Sequence, residues 1–255
     1  MTPYLDRPNV LRVLFYPRRE TESPPDGAQR ISVSVEAGIR VYGYLYAARD
    51  AGPLLLFFHG NGEIAADYSR LATLFTEAGF SLLVMDYRGY GISDGQPTTS
   101  HLLQDAVTIF DALPAFMPRY PKKPFVMGRS LGSAAACELA QRRSEKIAGL
   151  VVDSGFAFTQ SLLARLGLLL EDYDEERDGH GNARKIASFR GPTLILHGQD
   201  DTLILAQEAK ALYEISGSPD KRLLIVPNAN HNNLMIAGYL SYRAALQSLT
   251  TRRQD

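Results

Sequence analysis

Cysteine is almost missing from this chain. Cys137 stands alone among 255 residues, so no intramolecular disulfide framework is possible. Set in the Ala-rich stretch that follows Ser133, its thiol reads as a small buried core group, in keeping with a reducing compartment. Charge of one sign is missing too. Lys and Arg number 27 against 28 Asp and Glu, a formal net charge of -1, and nothing in that balance makes an electrostatic case for nucleic acid. No apolar run approaches the roughly 20 residues of a membrane span. Met1 to Asp6 lack the basic region of a secretory signal, and the apolar run Val10 to Tyr16 is short and broken by Arg12. His-Glu-x-x-His and paired-Cys spacings are absent, which argues against a catalytic metal. The expectation is a soluble, cytoplasmic protein acting on small molecules, with no nucleic acid, no stable membrane insertion, no metal and no cofactor.

What is present is patterned. With 45% hydrophobic residues the chain can build one α/β domain over residues 1–255. Residues 30–47 alternate around Glu36-Ala37-Gly38 and predict an antiparallel hairpin at a sheet edge. The Pro-rich Ser23 to Gly27 reads as a surface turn before it. Continuous apolar runs follow at Leu54 to Phe58, Phe80 to Met85, Phe125 to Met127, Ile147 to Val152, Thr193 to Leu196 and Leu223 to Val226, the kind found in parallel strands covered on both faces. Amphipathic segments between them predict helices on both sides of a mostly parallel sheet of about eight strands, with chemistry at the strands' carboxyl ends. The long interval between Val152 and Thr193 predicts a small lid insertion at 157–191. Its Leu-rich run 162–170 either lines an acyl pocket or packs a lid helix, and its acidic stretch from Glu171 to Asp178 reads as a solvated face.

The chemistry centres on Gly128-Arg129-Ser130-Leu131-Gly132, placed after the run Phe125 to Met127 and before an Ala-rich helix. Strand, tight turn and helix are the context of a nucleophile elbow, whose serine sits in a strained backbone conformation that flanking glycines make room for. A serine hydroxyl needs a base, and the base needs a group to fix its tautomer. The strand Thr193 to Leu196 runs into Asp200 and Asp201, and the strand Leu223 to Val226 runs towards His231. Asp201 is the preferred acid, with Asp200 and Asp153 as alternatives. Two backbone N–H donors for an oxyanion are expected from Leu131 and from Asn61 in the loop His59-Gly60-Asn61-Gly62.

These motifs, together with Asp86-Tyr87-Arg88-Gly89-Tyr90-Gly91, His197-Gly198-Gln199-Asp200-Asp201 and Asn230-His231-Asn232, resemble the α/β-hydrolase superfamily. Within it the chain is similar to small-lid serine hydrolases of the serine aminopeptidase-like and depalmitoylase-like groups. The resemblance implies a carboxylesterase-like serine hydrolase that cleaves an ester or thioester through an acyl-enzyme, or else a peptidase or amidase of the same fold. Two departures stand out. Asn230 occupies a position where glycine is usual, a residue that tolerates a left-handed backbone, and the Cys-rich N-terminal anchor of the depalmitoylase-like proteins is lacking.

Other residues read as structural. His59 and His197 are expected to organise loops, His101 and His180 to be solvated, Asp86 and Arg88 to tie down the loop after the second parallel strand, and Arg129 to form an ion pair. Two rival functions remain. Gly60-Asn61-Gly62-Glu63-Ile64-Ala65 also fits a dinucleotide fingerprint with Asp86 as the ribose-binding acid, implying an NAD-dependent oxidoreductase. A hydrolase-fold binding protein without activity is the other.

Overall fold

A computed structural model describes residues 2–20, 25–49, 52–120 and 122–251. Its strands are β1 (Gln29–Glu36), β2 (Ile39–Tyr46), β3 (Leu54–Phe58), β4 (Ser81–Met85), β5 (Phe125–Arg129), β6 (Gly149–Asp153), β7 (Thr193–Gly198) and β8 (Lys221–Val226). They form one sheet in the order β1-β2-β4-β3-β5-β6-β7-β8. The hairpin β1-β2 lies at one edge and pairs antiparallel, β2 to β4 included, while every pair from β4 to β8 is parallel. The turn expected before the hairpin is present at Asp26-Gly27; Ser23 and Pro24 lie outside the described residues.

The helices are α1 (Pro8–Leu14), α2 (Ala72–Glu77), α3 (Thr99–Phe116), α4 (Gly132–Arg142), α5 (Thr159–Arg165), α6 (Glu175–Asp178), α7 (Asn182–Ser188), α8 (Ala206–Ile215), α9 (Leu234–Ala237) and α10 (Tyr239–Thr250). Successive residues of β3 feed opposite sides of the sheet. Leu54, Leu56 and Phe58 join a core completed by α1, α3, α4, α7 and α8, whereas Leu55 and Phe57 join one completed by α2 and α10. Both faces are therefore covered, which is why the central strands carry no polar alternation. Loops leaving the carboxyl ends of β3, β5, β7 and β8 carry the residues singled out above. Among the described residues, no helix is long and apolar enough to cross a membrane.

Candidate active site

Ser130 follows β5 with φ of +50°, in the left-handed region that a non-glycine residue adopts only when its surroundings enforce it. Its N–H donates to the Asp153 carbonyl (2.9 Å), and its own carbonyl accepts from the Ser133 N–H (3.0 Å) and Oγ–H (2.6 Å). The neighbouring glycines are obligatory. A Cβ on Gly128 would stand 2.2 Å from the Gly132 carbonyl oxygen, and one on Gly132 would stand 2.1 Å from the Phe58 carbonyl oxygen. The apolar strand β5 thus runs straight into a turn that only this spacing permits.

His231, on the loop after β8, lies between Ser130 and Asp201. Its Nδ1 is 2.7 Å from Asp201 Oδ2 and its Nε2 is 3.0 Å from Ser130 Oγ. A carboxylate can only accept, so Nδ1 carries the proton and Nε2 is left bare to accept from the hydroxyl. Asp201 is 2% exposed. Burial pushes its carboxyl up, but donors from His197, His231 and the Ile204 amide outweigh that and hold it well below the usual carboxylate range. Oδ1 accepts from the Leu203 and Ile204 amides, both at 2.9 Å. Asp200 is exposed and makes no contact with the imidazole. Asp153 is buried but accepts from Tyr242 Oη (2.6 Å) and Ser154 Oγ (2.8 Å). A hydroxyl, a neutral imidazole of fixed tautomer and a buried carboxylate in series can move a proton off oxygen as that oxygen attacks a carbonyl.

The loop after β3 borders the elbow. Asn61 Oδ1 accepts from the Tyr16 N–H (2.6 Å) and Tyr90 Oη (2.8 Å), which anchors its side chain. Among the described residues the Asn61 and Leu131 amides have no acceptor of their own. Sequence reasoning missed Glu63. Its carboxylate accepts from the Gly60 amide (2.7 Å), from Tyr68 Oη (2.6 Å) and from Arg129 Nη1, and Arg129 Nη2 donates to the His231 carbonyl (2.5 Å). Arg129 therefore does form the expected ion pair, but its second contact could not be read from local spacing.

The supporting residues divide into expectations met and corrected. His197 Nε2 donates to the Ile204 carbonyl (2.7 Å) and His59 Nδ1 to the Gly60 carbonyl (2.8 Å), so both organise loops. Asp86 accepts from the Ala65 amide (2.8 Å), and Arg88 grips Asp105 through two bonds of 2.7 and 2.8 Å. Because Asp86 is 1% exposed and engaged, it is closed to a ribose, and Gly60-Asn61-Gly62 leads into a 3-10 turn (Ala65–Arg70) rather than an α-helix. That removes the geometry a dinucleotide fingerprint requires. His180 is not solvated. It is 2% exposed against Thr159 and Phe156, and burial, with Lys185 nearby, pushes its imidazole down to about 3. His101, on α3, is half-buried with an enclosed Nδ1 rather than solvated. The acidic stretch is not merely a solvated face, since Glu175 accepts from the Thr159 and Gln160 amides at the start of α5. In the last loop the left-handed residue is Asn228 (φ +57°), whereas Asn230 uses its side chain to accept from the Asn232 and Asn233 amides.

A mostly parallel eight-stranded sheet with this constellation at its carboxyl edge defines a hydrolase of the α/β-hydrolase type. The chain belongs to the serine aminopeptidase S33 family (Hydrolase_4), whose model matches residues 50–171 and 180–235. The Escherichia coli protein YfhR is 26% identical over 234 residues, covering 87% of this chain and 80% of its own length. Human ABHD12B is 26% identical over 215 residues, covering 75% of this chain and 59% of its own. Among solved structures, the Pyrococcus furiosus esterase Pf2001 superposes with a TM-score of 0.75 at 19% identity, over 91% of this chain and 97% of that one.

Proposed function

We propose that this protein is a serine esterase or thioesterase acting on a small acyl substrate. Ser130 attacks the carbonyl carbon while His231 takes the hydroxyl proton, and Asp201 holds the imidazole and stabilises it once charged. The amides of Leu131 and Asn61 receive the oxyanion. His231 then returns the proton to the leaving alcohol or thiol, and a water activated by the same imidazole releases the acid from the acyl-enzyme. The observation that carries this reading is the Ser130–His231–Asp201 hydrogen-bonded series, at 3.0 and 2.7 Å.

Residues 157–191 act in this reading as a small lid. In its support, a cavity of about 460 Å³ is bounded by Leu162 and Arg165 of α5, by Phe156, and by Leu203 and Ile204 from the loop that carries Asp201. Leu162 borders this space and, like Leu163, also packs into the core, which is compatible with both purposes set out above; Ser130, Asp201 and His231 are not among the residues that line it. The family description makes a peptidase or amidase the second reading.

Covalent labelling with a fluorophosphonate, read by intact mass, tests the proposal together with turnover of p-nitrophenyl esters of increasing chain length and of aminoacyl p-nitroanilides. Labelling of the wild type that disappears in Ser130→Ala, with esters preferred, is expected. A folded wild type that resists the probe would refute it, and preference for the anilides would move the assignment to a peptidase.

A further inference from the structure

The strands deliver Ser130, His231 and the Asn61 amide on three loops that are far apart in sequence, and nothing in the triad itself fixes the Asn61 loop to the other two. The contacts of Arg129 do. It is the residue before Ser130, so its backbone is part of the elbow, and its guanidinium reaches both ways: Nη1 to Glu63, Nη2 to the His231 carbonyl at 2.5 Å. Glu63 in turn closes onto the oxyanion loop by accepting the Gly60 amide at 2.7 Å, and is steadied by Tyr68 Oη at 2.6 Å. Resting on the serine-hydrolase reading above, we propose that the Glu63–Arg129 pair is a positioning brace that locks the oxyanion loop, the nucleophile turn and the histidine loop into one rigid unit.

Three observations support a designed fit rather than an incidental ion pair. Arg129 is 7% exposed, and a buried guanidinium is costly unless its donors are met by a carboxylate and a carbonyl, as they are here. Glu63 stays charged: burial pushes its carboxyl up, but Arg129 and the Tyr68 hydroxyl more than reverse that and hold it below its ordinary value. Gly60 leaves the space, since a Cβ there would lie 2.7 Å from Arg129 Nη1 and 3.1 Å from the Glu63 carboxylate. None of these atoms lies among the reacting groups, so the brace acts on geometry. A displacement of a reacting group by about 1 Å can cost ~100-fold in rate.

The test compares the full-length wild type with Glu63→Gln, Arg129→Lys and the double variant Glu63→Gln/Arg129→Met, using p-nitrophenyl butyrate kinetics and fluorophosphonate labelling rates well below each protein's melting temperature. Glu63→Gln keeps the shape and removes the charge. Arg129→Lys keeps the charge and loses the fork that serves two acceptors. The brace predicts that each single change lowers kcat by ~10- to 100-fold with KM within about threefold, that labelling slows in parallel, and that the double variant is no worse than the poorer single one. If a single variant fails to fold, the double variant, which leaves no unpaired charge, carries the same kcat and KM comparison. Folded variants with wild-type kcat, or with a raised KM alone, would overturn the brace while leaving Ser130 labelling intact. A wild type that neither labels nor turns over the ester would instead overturn the hydrolase reading.

Discussion

Asp153 closes β6 and Asp201 follows β7, so two buried carboxylates stand at neighbouring strand ends. The Asp153 carboxylate meets only hydroxyl donors, from Tyr242 of α10 and from its neighbour Ser154, and the residue's one bond to Ser130 is between backbones, its carbonyl accepting the Ser130 N–H. Asp201 meets the imidazoles of His231 (2.7 Å) and His197 (3.3 Å) and two backbone amides, and the first of these continues to Ser130. A place at the carboxyl edge of the sheet makes a carboxylate available to the site. What stands across from it decides its use. Neutral donors make Asp153 a structural link between sheet and helix, whereas in the proposed mechanism the imidazole makes Asp201 the group that sets a tautomer.

Substitution of Asp201 by Asn is the most severe way to break that contrast. An amide cannot hold His231 Nδ1–H as a carboxylate does, and kcat for an ester should fall ~10³- to 10⁴-fold, while the exposed Asp200→Asn stays near wild type. Equal losses would mean that the two adjacent carboxylates share the role. A different loss is expected one strand over. Asp153→Asn should spare kcat to within about tenfold and instead lower stability by about 1–3 kcal/mol, read by urea unfolding, and Tyr242→Phe should do the same by leaving the carboxylate one donor short. Should Asp153→Asn abolish turnover in a folded protein, the division between the two carboxylates would be wrong.

A further expected effect, of the same order, concerns pH. The depressed carboxyl of Asp201 contributes stability above the ordinary carboxylate range, near pH 4, and loses it only as pH falls further. His180 responds sooner. It must stay neutral to remain buried, so with its imidazole pushed down to about 3 its contribution is complete above about pH 6.5 and is lost as pH falls from there towards 3. Between pH 7 and 5 the wild type should lose on the order of 2 kcal/mol of unfolding free energy through this group, and His180→Gln should lose measurably less. A variant with an unchanged pH slope would show that the imidazole is hydrated at this site.

Much of this was legible in the sequence, and the reasons it was or was not are physical. Strands covered on both faces must be apolar throughout, so their runs marked the sheet, and the glycines around Ser130 marked the turn because close approach of backbones excludes any side chain there. The serine, acid and histidine could be ranked because each follows its own strand. What could not be read depends on contacts across the fold. Glu63 and Arg129 are 66 residues apart, and no periodicity reports such a pairing. His180, between two glycines, looked solvated because its burial is created by Phe156 and Thr159, which lie more than twenty residues upstream. Asn230 stands where glycine is usual and could adopt a left-handed backbone, but it is Asn228 that does so, since either asparagine tolerates it and only the placed chain distinguishes them.

The clamp on Asn61 has an evolutionary side. The family match begins at residue 50, yet the Asn61 side chain is held by the backbone of Tyr16, in the segment just after α1 that also pairs with the loop around Gly91. Part of the scaffolding of the candidate site is therefore built from sequence outside the span that the family model matches. A chimera that joined this core to a foreign leader would inherit every named motif and still lack the Tyr16 contact that holds Asn61.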